Sequence, residues 1–154
     1  MRTNQSVRIG KYIAAMLIAS FTGSAIAEQY TRMNKVRRIW RPSVPDHAHT
    51  VNPSEAPAGS VNECDLFYIP SNSSPGARAP LYRLLGGIDD MLSGYSNEGG
   101  YSNLGAVGYS YISDAPGRMP IRRLWYPGTG DHMTPFQGEA PSGWVDEGQA
   151  NRGF

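Results

Sequence analysis

Three segments of this chain repeat one another, and that repetition leaves few folds open to it. Val36-Arg37-Arg38-Ile39-Trp40 returns as Leu81-Tyr82-Arg83-Leu84-Leu85 and again as Ile121-Arg122-Arg123-Leu124-Trp125, with starts 45 and 40 residues apart. Asp46-His47 begins ten residues after Val36, and Asp131-His132 begins ten after Ile121. The middle copy offers Asp90-Met91 at nine and ten residues, as expected if its turn is one residue shorter. Further on, Glu55 to Glu63 matches Glu139 to Glu147, with Gly59 and Gly143 in the same column, and the middle copy keeps Glu98 and Gly100-Tyr101. Each copy closes on an aromatic residue, at Phe67-Tyr68, Gly108-Tyr109 and Gly153-Phe154.

The pattern within one copy reads as β structure. Val36, Arg38 and Trp40 alternate with Arg37 and Ile39, which predicts a strand with two distinct faces. Pro127-Gly128-Thr129-Gly130 stops the third-copy strand as a turn, and a second strand then carries the Asp-His pair. Asn52 to Ala56 and Gln137 to Ala140 each suit one helical turn, broken by the following Pro. The Gly after it permits a positive φ as the chain enters a closing strand, Val107 to Ile112 in the middle copy. A unit of about 40 residues cannot bury a core by itself, so three must share one. The expected fold is mainly β with short helical turns: three degenerate repeats (about 35–78, 79–118 and 119–154) in a closed, pseudo-threefold, β-trefoil-like domain. The third copy ends early, so Gln29 to Met33 is expected to complete its last strand.

Residues 1–27 stand apart. Arg2, Arg8 and Lys11 precede an apolar run of ten, Tyr12 to Phe21, and small residues ending in Ala25-Ile26-Ala27. That order of charge, apolar run and small residues is a secretory signal, with cleavage expected between Ala27 and Glu28. The run is short of the ~20 residues a spanning helix needs. The protein is therefore expected to be secreted or periplasmic and to keep no membrane anchor after cleavage. Residues 28–154 then carry 11 basic and 13 acidic side chains, ten of the basic ones Arg. This balance excludes a basic nucleic-acid-binding surface. The chain's one cysteine, Cys64, excludes an intramolecular disulfide framework and a cysteine-rich zinc site, and is expected to be buried.

Ala79 to Leu84 and Met119 to His132, followed by Glu139, Gly143-Trp144 and Glu147-Gly148, resemble a tandem repeat of secreted bacterial and fungal proteins. That repeat reads roughly Pro-Leu-Tyr-Arg-Leu-Tyr, a turn, Thr-Gly-Asp-His-Phe-Tyr-Thr, then a Glu-containing helical turn and Gly-Tyr/Trp. Its function is unassigned, and it often lies beside hydrolases of cell walls or polysaccharides. The resemblance implies export and a non-catalytic accessory role, and supplies no catalytic residues.

The candidate chemistry is sparse. Adjacent strand residues point to opposite faces, so neither Asp46-His47 nor Asp131-His132 is a ready catalytic dyad, and no Gly-x-Ser-x-Gly elbow is present. The simpler role for these pairs is to cap turns and hold neighbouring strands. His47, His49 and His132 are metal-ligand types without a recognised spacing, so no metal and no cofactor is expected. Trp40 and Trp125 occupy equivalent positions and are expected in the shared core. Trp144, in a polar stretch, suits the surface. The segment from Ser93 to Asn103, with Tyr95, Asn97, Tyr101 and Asn103, has the Tyr/Ser/Gly/Asn composition of adaptable binding loops.

The expected function is an exported non-catalytic binding module for polysaccharide or cell-envelope glycan, through Trp144, Tyr95, Tyr101, Asn97, Asn103, Asp131 and His132. The competing readings are a secreted protein-interaction module, as an inhibitor or accessory subunit, and an exported hydrolase using Asp131 and His132.

Overall fold

The computed structural model describes residues 33–73, 79–111 and 116–153, with side chains through residue 150. The Ala27–Glu28 cleavage site lies outside the described residues, as do Gln29 to Arg32. Met33 pairs with Pro70 in the first repeat. Among the described residues, no helix is long and apolar enough to cross a membrane.

Among the described residues, nine strands form three sheets of three. The first holds β1 (Met33–Arg41), β2 (Asp46–Thr50) and β3 (Val61–Pro70), and the second β4 (Ala79–Gly86), β5 (Asp89–Ser93) and β6 (Ser102–Ser110). The third holds β7 (Met119–Tyr126), β8 (Asp131–Met133) and β9 (Val145–Gly153). In each, the first strand is central and pairs antiparallel with the other two, in the orders β2-β1-β3, β5-β4-β6 and β8-β7-β9. The fold is mainly β and threefold in its repeat, as the sequence predicts. The described backbone ladders stay within repeats, and the repeats meet through side chains, with β2, β5 and β8 packed against one another.

The predicted alternation along the first strand gives way to a different rule. Val36 and Ile39 are both buried, as are Leu81 with Leu84 and Ile121 with Leu124, a spacing of three in every copy. A pair of register shifts accompanies it at the same place in each sheet, opposite Val36 to Ile39, Leu81 to Leu84 and Ile121 to Leu124, with the extra residues chiefly on the closing strand. A bulge turns successive side chains toward one side and tightens the twist. Val36, Leu81 and Ile121 then meet in one core with Leu66, Phe67, Ile69, Leu92 and Val107. Cys64 is half-buried against this core, and burial pushes its thiol pKa up, which makes it a poor nucleophile.

Register also corrects the middle copy. Trp40 faces His47, Trp125 faces His132 and Leu85 faces Asp90, while Arg41, Tyr126 and Gly86 face Asp46, Asp131 and Asp89. The connecting turns are Pro42 to Pro45, Gly87-Ile88 and Pro127 to Gly130, so the middle one is two residues shorter, not one. Asp89-Asp90, rather than Asp90-Met91, therefore stands where the other copies have Asp-His. Trp40 and Trp125 are half-buried and outside the apolar core; they lie over His47 and His132 instead. Of the two expected helical turns, the first forms at Pro53–Glu55, capped by Asn52, while Gln137-Gly138 makes a single turn closed by the Glu139 N–H on the Phe136 carbonyl at 2.9 Å. Gly59, Gly100 and Gly143 all take a positive φ just before the closing strand, at 81°, 86° and 86°.

The second repeat packs tightly against the first at Gly108. A Cβ there would stand 2.7 Å from Ile69 Cδ1 and 2.8 Å from the Pro70 carbonyl oxygen. Beside it, Asn34 Nδ2 donates to the Val107 carbonyl at 2.6 Å. Gly108→Ala is accordingly expected to cost about 2 kcal/mol in urea unfolding, whereas Gly99→Ala, with open space around it, should stay within about 0.5 kcal/mol.

Candidate functional site

Each hairpin turn delivers an aspartate to the start of an inner strand, and the partners of Asp131 and Asp89 lie in another repeat. The His47 backbone N–H and Nδ1 donate to the two oxygens of Asp131, at 3.0 and 2.7 Å. His132 does the same to Asp89, at 2.8 and 2.6 Å. Opposite pointing within one Asp-His pair rules out an internal dyad, but it lets each residue reach a different neighbour. Two Asp-His pairs thus form between repeats, third to first and second to third.

Both imidazoles are enclosed in matching networks. His47 Nε2 lies 3.4 Å from Glu63, and His132 Nε2 lies 3.2 Å from Glu147. Those glutamates accept from Arg38 and Arg123, at 2.8 and 2.6 Å. Each arginine also reaches into the preceding repeat, Arg38 to Glu139 at 2.6 Å and Arg123 to Glu98 at 2.9 Å. Arg38 Nη1 and Arg123 Nη1 further touch the sulfurs of Met133 and Met91, again at equivalent positions. The Arg38 contact holds the Glu139 carboxyl below the usual range. Burial pushes Glu98 up, but Arg123 and Ser93 outweigh it, and Glu98 also lies below that range. Rings complete each seam: Trp40 and Trp144 against His47, with centroids 4.9 and 5.7 Å away, and Trp125 and Tyr101 against His132, at 6.5 and 6.2 Å.

The seam between the first and second repeats departs from this pattern. Asp90 replaces the histidine, Leu85 the tryptophan and Leu104 the glutamate. His49, fully buried, donates its N–H and Nδ1 to Asp90 at 3.0 and 3.1 Å, and Arg83 Nε adds a bond at 2.6 Å. His49 Nε2 accepts from the Thr134 N–H at 3.3 Å, so this one imidazole joins all three repeats. Asp46 is left with Arg41, which binds its Oδ2, while no donor reaches its Oδ1. Burial, with Asp131 alongside, pushes the Asp46 carboxyl up to about 8 against the pull of Arg41.

The sequence-predicted site residues divide accordingly. Asp131 and His132 belong to the inter-repeat bonds. The Tyr101 hydroxyl donates to Asp89, and Trp144 packs on His47 and Tyr126. Asn103 ties the middle loop by donating to the Ser96 carbonyl at 2.9 Å, and Asn97 is exposed. Tyr95 is the freest, at 74% exposure. His47, His49 and His132 do not converge; each Nδ1 is committed to a separate aspartate. Sequence reasoning missed Arg38, Arg123, Glu63 and Glu98, although Arg38 with Arg123 and Glu63 with Glu147 repeat in equivalent columns. Two concavities adjoin the seams. One, about 150 Å³, is lined by Ser93, Tyr95, Glu98, Arg123, Glu147 and Gln149. The other, about 450 Å³, runs along Leu66, Phe67, Met119, Ile121 and Pro135. Comparison with protein-family models, curated proteins and solved structures finds no significant match.

Because the folded carboxyl of Glu139 is held low, its pairing with Arg38 contributes stability above the unfolded value of 4.5 and loses it as the pH falls through the folded value. Glu139→Gln should cost about 1 kcal/mol near neutrality. Melting curves should show that gap narrowing and then closing as the pH falls below 4.5.

Proposed function

We propose that the protein is exported and acts as a non-catalytic module that binds polysaccharide or cell-envelope glycan at the notch between its second and third repeats. One observation carries the reading: Tyr95 stands 74% exposed at a polar notch whose walls are already held in place. Ser93 accepts the Tyr95 N–H at 2.9 Å and donates to Glu98; Glu98 and Glu147 are both fixed by Arg123. Sugars are recognised by an aromatic face against their C–H groups and by carboxylates and guanidinium groups on their hydroxyls, and walls that need no reordering keep more of that energy. A notch of about 150 Å³ suits one sugar ring of a longer chain. The signal-like N-terminus and the resemblance to repeats found beside polysaccharide hydrolases support the same reading. The Asp-His pairs of His47 and His132 fit a holding role better than a hydrolytic one, since both ring nitrogens of each already face carboxylates.

The groove along Leu66, Phe67 and Met119 favours a second reading, a secreted protein partner, because its walls are largely apolar. A polysaccharide screen with the folded protein separates the two. Calorimetry should find a glycan whose affinity falls about tenfold or more in Tyr95→Ala, with Tm unchanged. A folded protein that binds no glycan yet retains one secreted partner would replace the first reading with the second.

A further inference from the structure

We infer that Asp46, Asp89 and Asp131 form a divalent-cation site on the pseudo-threefold axis, suited by size to calcium. One carboxylate oxygen from each lies within 4.8 Å of those from the other two. Three oxygens bound at about 2.4 Å to one calcium ion stand about 3.4–4.2 Å apart, so small movements close the ring. The independent sign of a ligand is Asp46. It is 1% exposed, Arg41 occupies its Oδ2, and its Oδ1 is buried with no donor. A buried carboxylate oxygen without a donor calls for a proton or a cation.

The surroundings suit a cation. Metal-binding carboxylates are themselves held by hydrogen bonds, and here His47 holds Asp131, while His132 and Tyr101 hold Asp89. Each oxygen so engaged keeps a second lone pair for an ion. The all-oxygen set favours calcium or magnesium over softer metals. The wide ring favours calcium, because magnesium demands oxygens at about 2.1 Å. The aspartates directly follow the hairpin turns, and Asp89 and Asp131 keep 7% and 5% exposure, which leaves the turn end as the route of entry.

The test is calcium chloride added to the EDTA-treated full protein, followed by calorimetry and melting curves. Calcium should bind with a Kd between about 10 µM and 1 mM and raise Tm by about 5 °C at saturation, with magnesium at least about tenfold weaker. Asp46→Asn should weaken calcium binding about tenfold or more while Glu55→Gln, at an exposed carboxylate outside the seams, leaves it unchanged. Asp89→Asn, with the same expected loss, serves if Asp46→Asn fails to fold. Wild-type protein with no calcium heat and equal melting in EDTA and calcium overturns the site, leaving a proton on Asp46. So does an unaltered calcium response in folded Asp46→Asn or Asp89→Asn.

Discussion

The aspartate that grips the backbone N–H and ring Nδ1 of a histidine in another repeat is the contact on which the rest depends. No described ladder joins one sheet to the next, so the repeats must be registered by side chains. A carboxylate accepting two roughly parallel bonds fixes both position and orientation, as one apolar contact cannot. Around each such grip, Arg38 or Arg123 binds one glutamate in its own repeat and one in the preceding repeat. The two arginines are largely buried and need their carboxylates, which couples the bonds within each network. The apolar core supplies the bulk of the burial; the polar seams decide which repeat meets which.

Threefold order is broken at one seam, and the asymmetry concentrates polar chemistry. The shortened Gly87-Ile88 turn brings Asp89 into the ring of aspartates, and Asp90 takes the place of a histidine. A histidine there would donate to Asp46; an aspartate cannot. His49 and Arg83 resolve the charge of Asp90, but Asp46 keeps an oxygen that nothing satisfies. The same middle repeat, whose loop carries Tyr95, provides one wall of the polar notch. Degeneracy here is therefore the origin of the unsatisfied Asp46 oxygen, which a perfectly threefold molecule would have paired.

A scaffold stitched by charged seams suits the proposed role of an exported accessory module. With a single cysteine it has no disulfide framework to hold small repeats together. Ion-pair networks and stacked rings between repeats take that part, and arginine suits it because its planar fork can bind two carboxylates while its stem packs on apolar neighbours. The seams leave the outer strands and the middle loop free to present side chains.

The sequence by itself determined the repeat, and with it the class of fold. Val36, Leu81 and Ile121 recur because each must enter a core that no single copy can build, and Gly59, Gly100 and Gly143 recur because the backbone there needs a positive φ. Such requirements are local and leave a mark in every copy. What the tertiary structure alone decided was partnership. Asp131 lies beside His132 in the chain but holds His47, and Asp90 falls in register with the histidines because a turn lost two residues. Trp40 and Trp125, as apolar as any core residue, cover imidazoles instead. A contact between repeats depends on how three sheets rotate about a common axis. That rotation is set by bulges and turn lengths acting together, so no segment encodes it alone.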